Sequence, residues 1–346
     1  MEFSGDNTLV AVGMSESYIR IWSLENKPLT SSIDPPDYHP SSSRRLIGHS
    51  GPVYALSFSP SIALNEATPT TNGTTTTALS DGAPRYLLSS SADSTIRLWD
   101  LSSYTNLVVY KSHAAPVWDV RFSPHGHYFV SSSADRTARL WSTSHISPHR
   151  LFVGHDASVD VVAWHPNSAY VFTASGAPDR SVRMWDVQRG SAVRLFTGHM
   201  GNITALAASP NGKFVASADD RGEVLLWDLA AGRLVKRMRG HGRGGVWSLD
   251  WSVESSVLVS GGADGTVRVW DVAPSNPSAV DGKVIGDGGA GAKIDAGQLQ
   301  AGKKAKGKDV VVSPDQISAF PTKKSPVYKV RFTQMNLVVA GGAYLP

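Results

Sequence analysis

The sequence contains no cysteine. That excludes a disulfide framework, cysteine-based zinc sites and a thiol nucleophile, and it fits a reducing compartment. Long apolar runs are missing too: none approaches the roughly 18 residues that a membrane-spanning helix needs. The opening residues, Met1 to Asp6, lack the basic-then-apolar order of a signal peptide. A large excess of charge of one sign is absent, with 33 Lys and Arg against 29 Asp and Glu. The net charge is +4, and Lys303, Lys304, Lys306, Lys308, Lys323 and Lys324 place the excess in one late stretch. A nucleic-acid binder usually spreads basic charge over a folded face, so no direct sequence-specific nucleic-acid contact is expected. No Gly-Lys pair precedes Ser or Thr, which excludes a P-loop. What remains is 346 residues, 41% hydrophobic and 18% charged, enough for a globular core. The expectation is a soluble intracellular chain without cofactor or membrane partner.

Ten tryptophans are present, and five keep a period: Trp99, Trp141, Trp185, Trp227 and Trp270, at steps of 42, 44, 42 and 43 residues. The phrases run from Gly48-His49 to Trp99-Asp100, Ser112-His113 to Trp141-Ser142, Gly154-His155 to Trp185-Asp186, Gly198-His199 to Trp227-Asp228 and Gly240-His241 to Trp270-Asp271. A period of 40–45 with Gly-His early and Trp-Asp late is the WD-repeat signature, four strands to a blade. Val117–Phe122, Tyr128–Ser131 and Thr137–Trp141 alternate as inner, second and third strands, and Asn106–Tyr110 and Arg150–Val153 as outer ones. Partial units flank the five, at Leu9–Val12 with Tyr18–Trp22 and at Pro326–Phe332 with Asn336–Ala340. The fold class is therefore all-β, a seven-bladed WD-repeat β-propeller, incomplete at the closing blade. Its blade cores lie near 1–24, 46–101, 106–142, 150–187, 193–229, 235–272 and 316–346. The insertions 25–44, 61–84 and 273–315 read as low-complexity, disordered loops. Closing the ring removes open edges. The short first inner strand and the two-stranded last blade predict either a fragment, completed by upstream sequence, or a ring that closes poorly.

His, Ser or Thr, and Asp recur together, as in a hydrolase triad. Repetition points elsewhere, because catalysis needs one site. Each set is expected to be a buried hydrogen-bonded chain ending on a Trp indole. The sets are His49, Ser89, Asp93 and Trp99; His113, Ser131, Asp135 and Trp141; His155, Thr173, Asp179 and Trp185; and His241, Ser260, Asp264 and Trp270. Gly176 to Pro178 lengthens the turn before Asp179. Two sets read as damaged. In the fifth blade, with His199 and Trp227, Arg221 falls where the Asp belongs, after Asp219 and Asp220. In the first, Glu16 does, and no Gly-His precedes. Both blades are expected to be held less firmly. No catalytic or metal residues are assigned; the histidines are dispersed, one to a blade.

Gly286, Gly288 and Gly291 spell GxGxxG but lie in a Gly/Ala tract without the strand and helix of a dinucleotide site. Asn72-Gly-Thr74 and Asn202-Ile-Thr204 match a glycosylation pattern that an intracellular chain does not use. The lysines at 303–308 fit either a nuclear-import or acidic-partner segment or a solvated linker. The second residue of each inner strand is Tyr54, Trp118, Asp160, Thr204, Trp247 or Tyr328. That register puts them at the mouth of the central channel, as partner-binding hot spots or as packing between blades.

The repeats also resemble one family. Ser50-Gly-Pro-Val-Tyr54, Pro116-Val-Trp-Asp119, Phe122-Ser-Pro124, His165-Pro-Asn167, Arg194-Leu-Phe-Thr-Gly-His199, Ser209-Pro-Asn-Gly212 and Val224-Leu-Leu-Trp-Asp228 are similar to the WD domain of the TFIID subunit 5 family. So is the tail, Ser325-Pro-Val-Tyr328 through Phe332 and Asn336 to Tyr344. The resemblance spans about 1–24, 46–272 and 316–346 and leaves out the linkers. It implies a nuclear architectural subunit without catalytic residues. In that family the propeller packs against histone-fold subunits of TFIID, and in some lineages of SAGA. Members carry an N-terminal helical region that is not in this sequence. The competing expectation is a generic WD-repeat adaptor, such as a ubiquitin-ligase substrate receptor. A propeller hydrolase would need one ionisable cluster in the channel.

Overall fold

The computed structural model describes residues 1–31, 33–35, 39–60, 84–242, 244–273, 313–322 and 325–343. Among them there are 26 strands and no helix. Blade 1 comprises β1 (Glu2–Phe3), β2 (Leu9–Gly13), β3 (Tyr18–Ser23) and β4 (Ser43–Ile47). Blade 2 holds β5 (Val53–Phe58), β6 (Tyr86–Ser91), β7 (Thr95–Asp100) and β8 (Thr105–Lys111). Blade 3 holds β9 (Val117–Phe122), β10 (Tyr128–Ser133), β11 (Thr137–Ser142) and β12 (Arg150–Val153). Blade 4 holds β13 (Val159–Trp164), β14 (Tyr170–Ser175), β15 (Ser181–Asp186) and β16 (Ala192–Thr197). Blade 5 holds β17 (Ile203–Ala208), β18 (Phe214–Asp219), β19 (Glu223–Asp228) and β20 (Arg233–Arg239). Blade 6 holds β21 (Val246–Trp251), β22 (Val257–Gly262), β23 (Thr266–Asp271) and β24 (Gln316–Pro321), and the last sheet holds β25 (Val327–Phe332) and β26 (Val338–Gly342).

Each sheet is antiparallel and runs from an inner to an outer strand. Successive inner strands pack on one another around a common axis, from β5 against β9 to β21 against β25. This is a seven-bladed WD-repeat β-propeller. The sheets are offset from the sequence repeats by one strand. Asn106–Tyr110 opens a repeat but pairs with β7, and Gln316–Pro321 pairs with β23 rather than joining the last blade. A hairpin places each outer strand beside the third strand that precedes it, so sequence period and blade are out of phase.

Strand composition follows from position. The second strand of a blade is pressed on both faces by its neighbours. In β10, Phe129 through Ser133 are all buried, and the last three are serines. The outer strands are mostly exposed, and five of the six drive an apolar anchor inward: Leu46, Tyr110, Phe152, Phe196 and Met238. Apolar clusters fill the interfaces between consecutive blades, from Ile19, Ile21 and Leu56 between blades 1 and 2 to Val259, Val267 and Val330 between blade 6 and the last sheet. Burying a large aliphatic or aromatic side chain contributes roughly 1.5–3 kcal/mol.

The ring closes differently. Polar groups take part there: Glu2 of blade 1 accepts from Lys329 Nζ of the last sheet and from Arg121 Nη1 of blade 3, both at 2.8 Å, and Arg331 Nη1 donates to the carbonyls of Phe3 and Ser4. The stretch 25–44, expected to be structureless, is partly built in. Leu29 is buried, Arg44 Nε donates to its carbonyl at 2.8 Å, Arg44 pairs with Asp34 and lies over the Tyr104 ring, and β4 starts at Ser43. Ser31 Oγ also donates to the Ser103 carbonyl at 3.1 Å, which adds a tie to blade 2. The stretch 61–83, the glycines at 286–291 and the six late lysines lie outside the described residues.

Candidate functional site

The repeated polar sets are present as continuous chains. In blade 2, Trp99 Nε1 donates to Ser89 Oγ at 2.9 Å, Ser89 Oγ lies 2.8 Å from His49 Nε2, and His49 Nδ1 lies 2.9 Å from Asp93. In blade 3, Trp141, Ser131, His113 and Asp135 repeat this at 2.9, 2.8 and 2.8 Å. In blade 4, Trp185, Thr173, His155 and Asp179 do so at 2.7, 2.7 and 2.6 Å. In blade 6, Trp270, Ser260, His241 and Asp264 do so at 2.7, 2.6 and 3.1 Å. Proton arithmetic favours neutral imidazoles. The hydroxyl accepts from the indole and donates to Nε2, leaving Nδ1–H for the carboxylate. Burial pushes His49, His113 and His155 below the usual histidine range, against the pull of Asp93, Asp135 and Asp179. Burial alone would raise the Asp93 carboxyl, but Thr95, the Ser50 amide and His49 together hold it at about 2. Ser89, Ser131, Thr173 and Ser260 are fully buried. Each set ties the second strand to the third strand and to the turns beside it.

Blade 5 corrects the sequence reading. His199 Nε2 lies 2.6 Å from Ser217 Oγ, Trp227 Nε1 donates to Ser217 at 2.8 Å, and His199 Nδ1 lies 3.1 Å from Asp219. The chain is complete. Its carboxylate comes from the end of β18 instead of the turn, because Asp219 stands where the other blades carry a small strand-end residue such as Ser133. Arg221 stands at the turn position where the other blades carry the aspartate, so the repeat spacing does not point to Asp219. In blade 1, Val12 occupies the hydroxyl position by register and Glu16 is exposed.

The channel mouth is where side chains are left facing outward. Tyr54, Trp118, Asp160, Thr204, Trp247 and Tyr328 all line a central cavity of about 570 Å³. A backbone irregularity explains why. In each of six blades the pairing of the inner strand skips one residue: Val53 then Ala55, Val117 then Asp119, Val159 then Val161, Ile203 then Ala205, Val246 then Ser248, Val327 then Lys329. The skipped residue is the mouth residue every time. A bulge releases a side chain from the pleat and re-aims it. Tyr54, Trp247 and Tyr328 are exposed, and the aromatics pair off: Tyr54 with Trp118 at 4.7 Å between ring centroids, and Trp247 stacked on Tyr328 at 5.1 Å. Thr204 Oγ1 instead donates to the carbonyls of Ala218 and Val246, tying blade 5 to blade 6.

Below the mouth sits a charged belt that sequence reasoning missed. Arg121 bridges Glu2 and Asp119, Lys329 pairs with Glu2, and Asp250 accepts from the Phe332 amide at 2.6 Å. Burial acts upward on the Glu2 carboxyl, and Lys329 and Arg121 bring it down to about 2. Asp119 and Asp250 both take amides of the next blade, Val162 and Phe332. Nothing in the local sequence distinguishes these charges from solvent-facing ones. Among the described residues no three His, Asp or Glu side chains assemble into a metal site, and no helix is long and apolar enough to cross a membrane.

The comparisons with known proteins agree with this architecture. The WD domain, G-beta repeat family matches residues 71–100, 104–142, 146–186, 190–228 and 232–271. The chain is 30% identical over 363 residues to transcription initiation factor TFIID subunit 5 of Caenorhabditis elegans, covering 99% of this chain and 50% of the relative. It is 44% identical over 113 residues, 32% of this chain and 14% of the relative, to the SAGA complex/transcription factor TFIID complex subunit Taf5 of Schizosaccharomyces pombe. A human relative, the TAF5-like RNA polymerase II p300/CBP-associated factor-associated factor 65 kDa subunit 5L, is 42% identical over 128 residues, 32% of this chain and 18% of the relative. The chain thus spans half or less of the length of these relatives. On five matched repeats and a ring of strands that carries them, the chain belongs to the WD-repeat family, and among its members it resembles TFIID subunit 5.

Proposed function

We propose that this chain is a non-catalytic scaffold, the WD-repeat part of a TFIID subunit acting in the nucleus at RNA polymerase II initiation, and shared with SAGA. The observation that supports it is similarity to TFIID subunit 5 along 99% of the chain. Similarity to a subunit named for both complexes supports the sharing. The partners are proteins, histone-fold subunits of those complexes, and the chain makes no sequence-specific contact with nucleic acid. The mouth residues Tyr54, Trp118, Asp160, Thr204, Trp247 and Tyr328 form its docking rim. The mechanism is presentation: interlocked blades lose little conformational entropy when a partner docks, so binding energy is not spent on ordering the scaffold.

Affinity capture of the tagged chain from nuclear extract, with mass spectrometry of the eluate, tests this. Histone-fold TFIID or SAGA subunits in stoichiometric yield are expected. Ubiquitin-ligase subunits in their place, from chain shown to be folded, would replace the proposal with the adaptor reading.

A further inference from the structure

Asp160 differs from the rest of the rim. Its carboxylate accepts from Ser158 Oγ at 2.7 Å, and Ser158 Oγ in turn accepts from Trp118 Nε1 at 2.9 Å. The Gly176 amide also donates to it. A Cβ at Gly176 would come within 3.0 Å of Asp160 Oδ2, so the absence of a side chain there lets carboxylate and backbone approach. These are neutral donors. Every other carboxylate of the channel wall has a cation near it: Glu2 has Arg121 and Lys329, Asp119 has Arg121, and Asp250 feels Lys329 and Arg331. Among the described residues, no Lys or Arg forms an ion pair with Asp160, and its carboxyl is pushed up by burial with no cation pulling it back. A half-buried carboxylate without a counter-charge is costly to the folded chain, and an incoming cation would relieve that.

The surroundings suit a cation as well. Asp160 and Thr204 form one arc of the mouth. The Tyr54–Trp118 pair flanks it on one side, and the Trp247–Tyr328 pair on the other. Three of these four rings are more than a third exposed, at 42% for Tyr54, 37% for Trp247 and 44% for Tyr328. Ring faces attract a lysine ammonium or an arginine guanidinium and also cover its aliphatic stem. We propose that the channel mouth is a receptor for one basic side chain, a lysine or arginine projecting from a protein partner, with Asp160 as its counter-ion and the two aromatic pairs as its walls. This deepens the docking reading of the rim and rests on it.

The probe is a set of acetylated hexapeptide amides with Lys, Arg, Gln or norleucine fixed at the centre and Ala, Ser and Gly mixed at the flanks. Binding is followed by the indole NMR signals of the tryptophans. The Lys and Arg pools are expected to shift Trp118 and Trp247 and to leave the buried Trp141 and Trp185 in place. Asp160→Asn, with those buried signals unchanged as proof of folding, should weaken binding roughly tenfold. Equal shifts from the norleucine pool, or no shift from any pool, would overturn the proposal. Capture of nuclear partners by the Asp160→Asn variant separates the two readings. Partners kept with the peptides lost leave the scaffold role standing. Partners lost on Trp247→Ala but kept on Asp160→Asn mean a rim that docks proteins without a cation.

Discussion

At the scale of the residue, the buried hydroxyl is the hinge of each polar chain. It satisfies an indole N–H and an imidazole nitrogen at once, so its loss strands both. Ser131→Ala should lower the free energy of unfolding by about 2 kcal/mol, whereas Thr173→Ser, which keeps the oxygen, should cost under about 1 kcal/mol. Urea denaturation midpoints check both. The corrected blade 5 yields a sharper contrast. Asp219→Ala removes the carboxylate that His199 and the amides of Arg221 and Glu223 use, and should cost about 2 kcal/mol. Arg221→Ala should stay within about 0.5 kcal/mol. The reverse order would show that blade 5 does not depend on the Asp219 carboxylate.

The same chains predict an acid response. A histidine whose folded pKa is depressed takes up its proton first in the unfolded chain. The contribution of His49, His113 and His155 is therefore full above their ordinary value of 6.5 and declines as pH falls through it. Asp93 acts later. Its folded pKa of about 2 lies below the ordinary 3.8, so its contribution is present above 3.8 and lost as pH falls toward 2. Denaturation curves at pH 7, 5.5 and 3.5 should show stability dropping at each step. A flat profile between 7 and 5.5 would mean that folding leaves these imidazoles at their ordinary value of 6.5.

At the scale of the element, two devices matter, and they differ in how well the sequence displays them. Strand alternation and the Gly-His to Trp-Asp phrase are local, so β9 to β11 were readable almost to the residue. The bulges were not. Nothing in Val117-Trp-Asp marks Trp118 as the unpaired residue, because a bulge is a property of two strands in register. Position along the inner strand marks the same six residues, but only the bulge aims them at the channel. The closure belt was invisible for a different cause: Glu2 and Lys329 are 327 residues apart. Glu2→Ala should leave Lys329 and Arg121 short of counter-charge and cost about 3 kcal/mol. Calorimetry reads this, and Glu25→Ala on the exposed Lys27 pair serves as the neutral comparison.

At the scale of the whole molecule, stability should be uneven around the ring. Blades 2 to 6 bury nearly all of their second strands between neighbours, but β26 is the last strand of a two-stranded sheet and is largely exposed among the described residues. Native-state hydrogen exchange should find the slowest amides in β10, β14 and β18 and the fastest strand amides in β26. Protection of β26 equal to that of β14 would show that another strand covers its edge. Blade 1 lacks the polar chain yet keeps a full apolar interface with blade 2 through Ile19, Ile21 and Leu56.

The sequence by itself determined the repeat, the number of blades, the strands and the partners within four of the polar chains. All of these depend on residues within about one repeat of each other, and a period displays them. Tertiary structure alone decided which carboxylate completes blade 5, which charges meet across the closure, how the stretch after Glu25 folds back, and why six side chains face the channel. Each of these depends on groups that become neighbours only when strands pair and the ring closes, and no spacing along the chain encodes that distance.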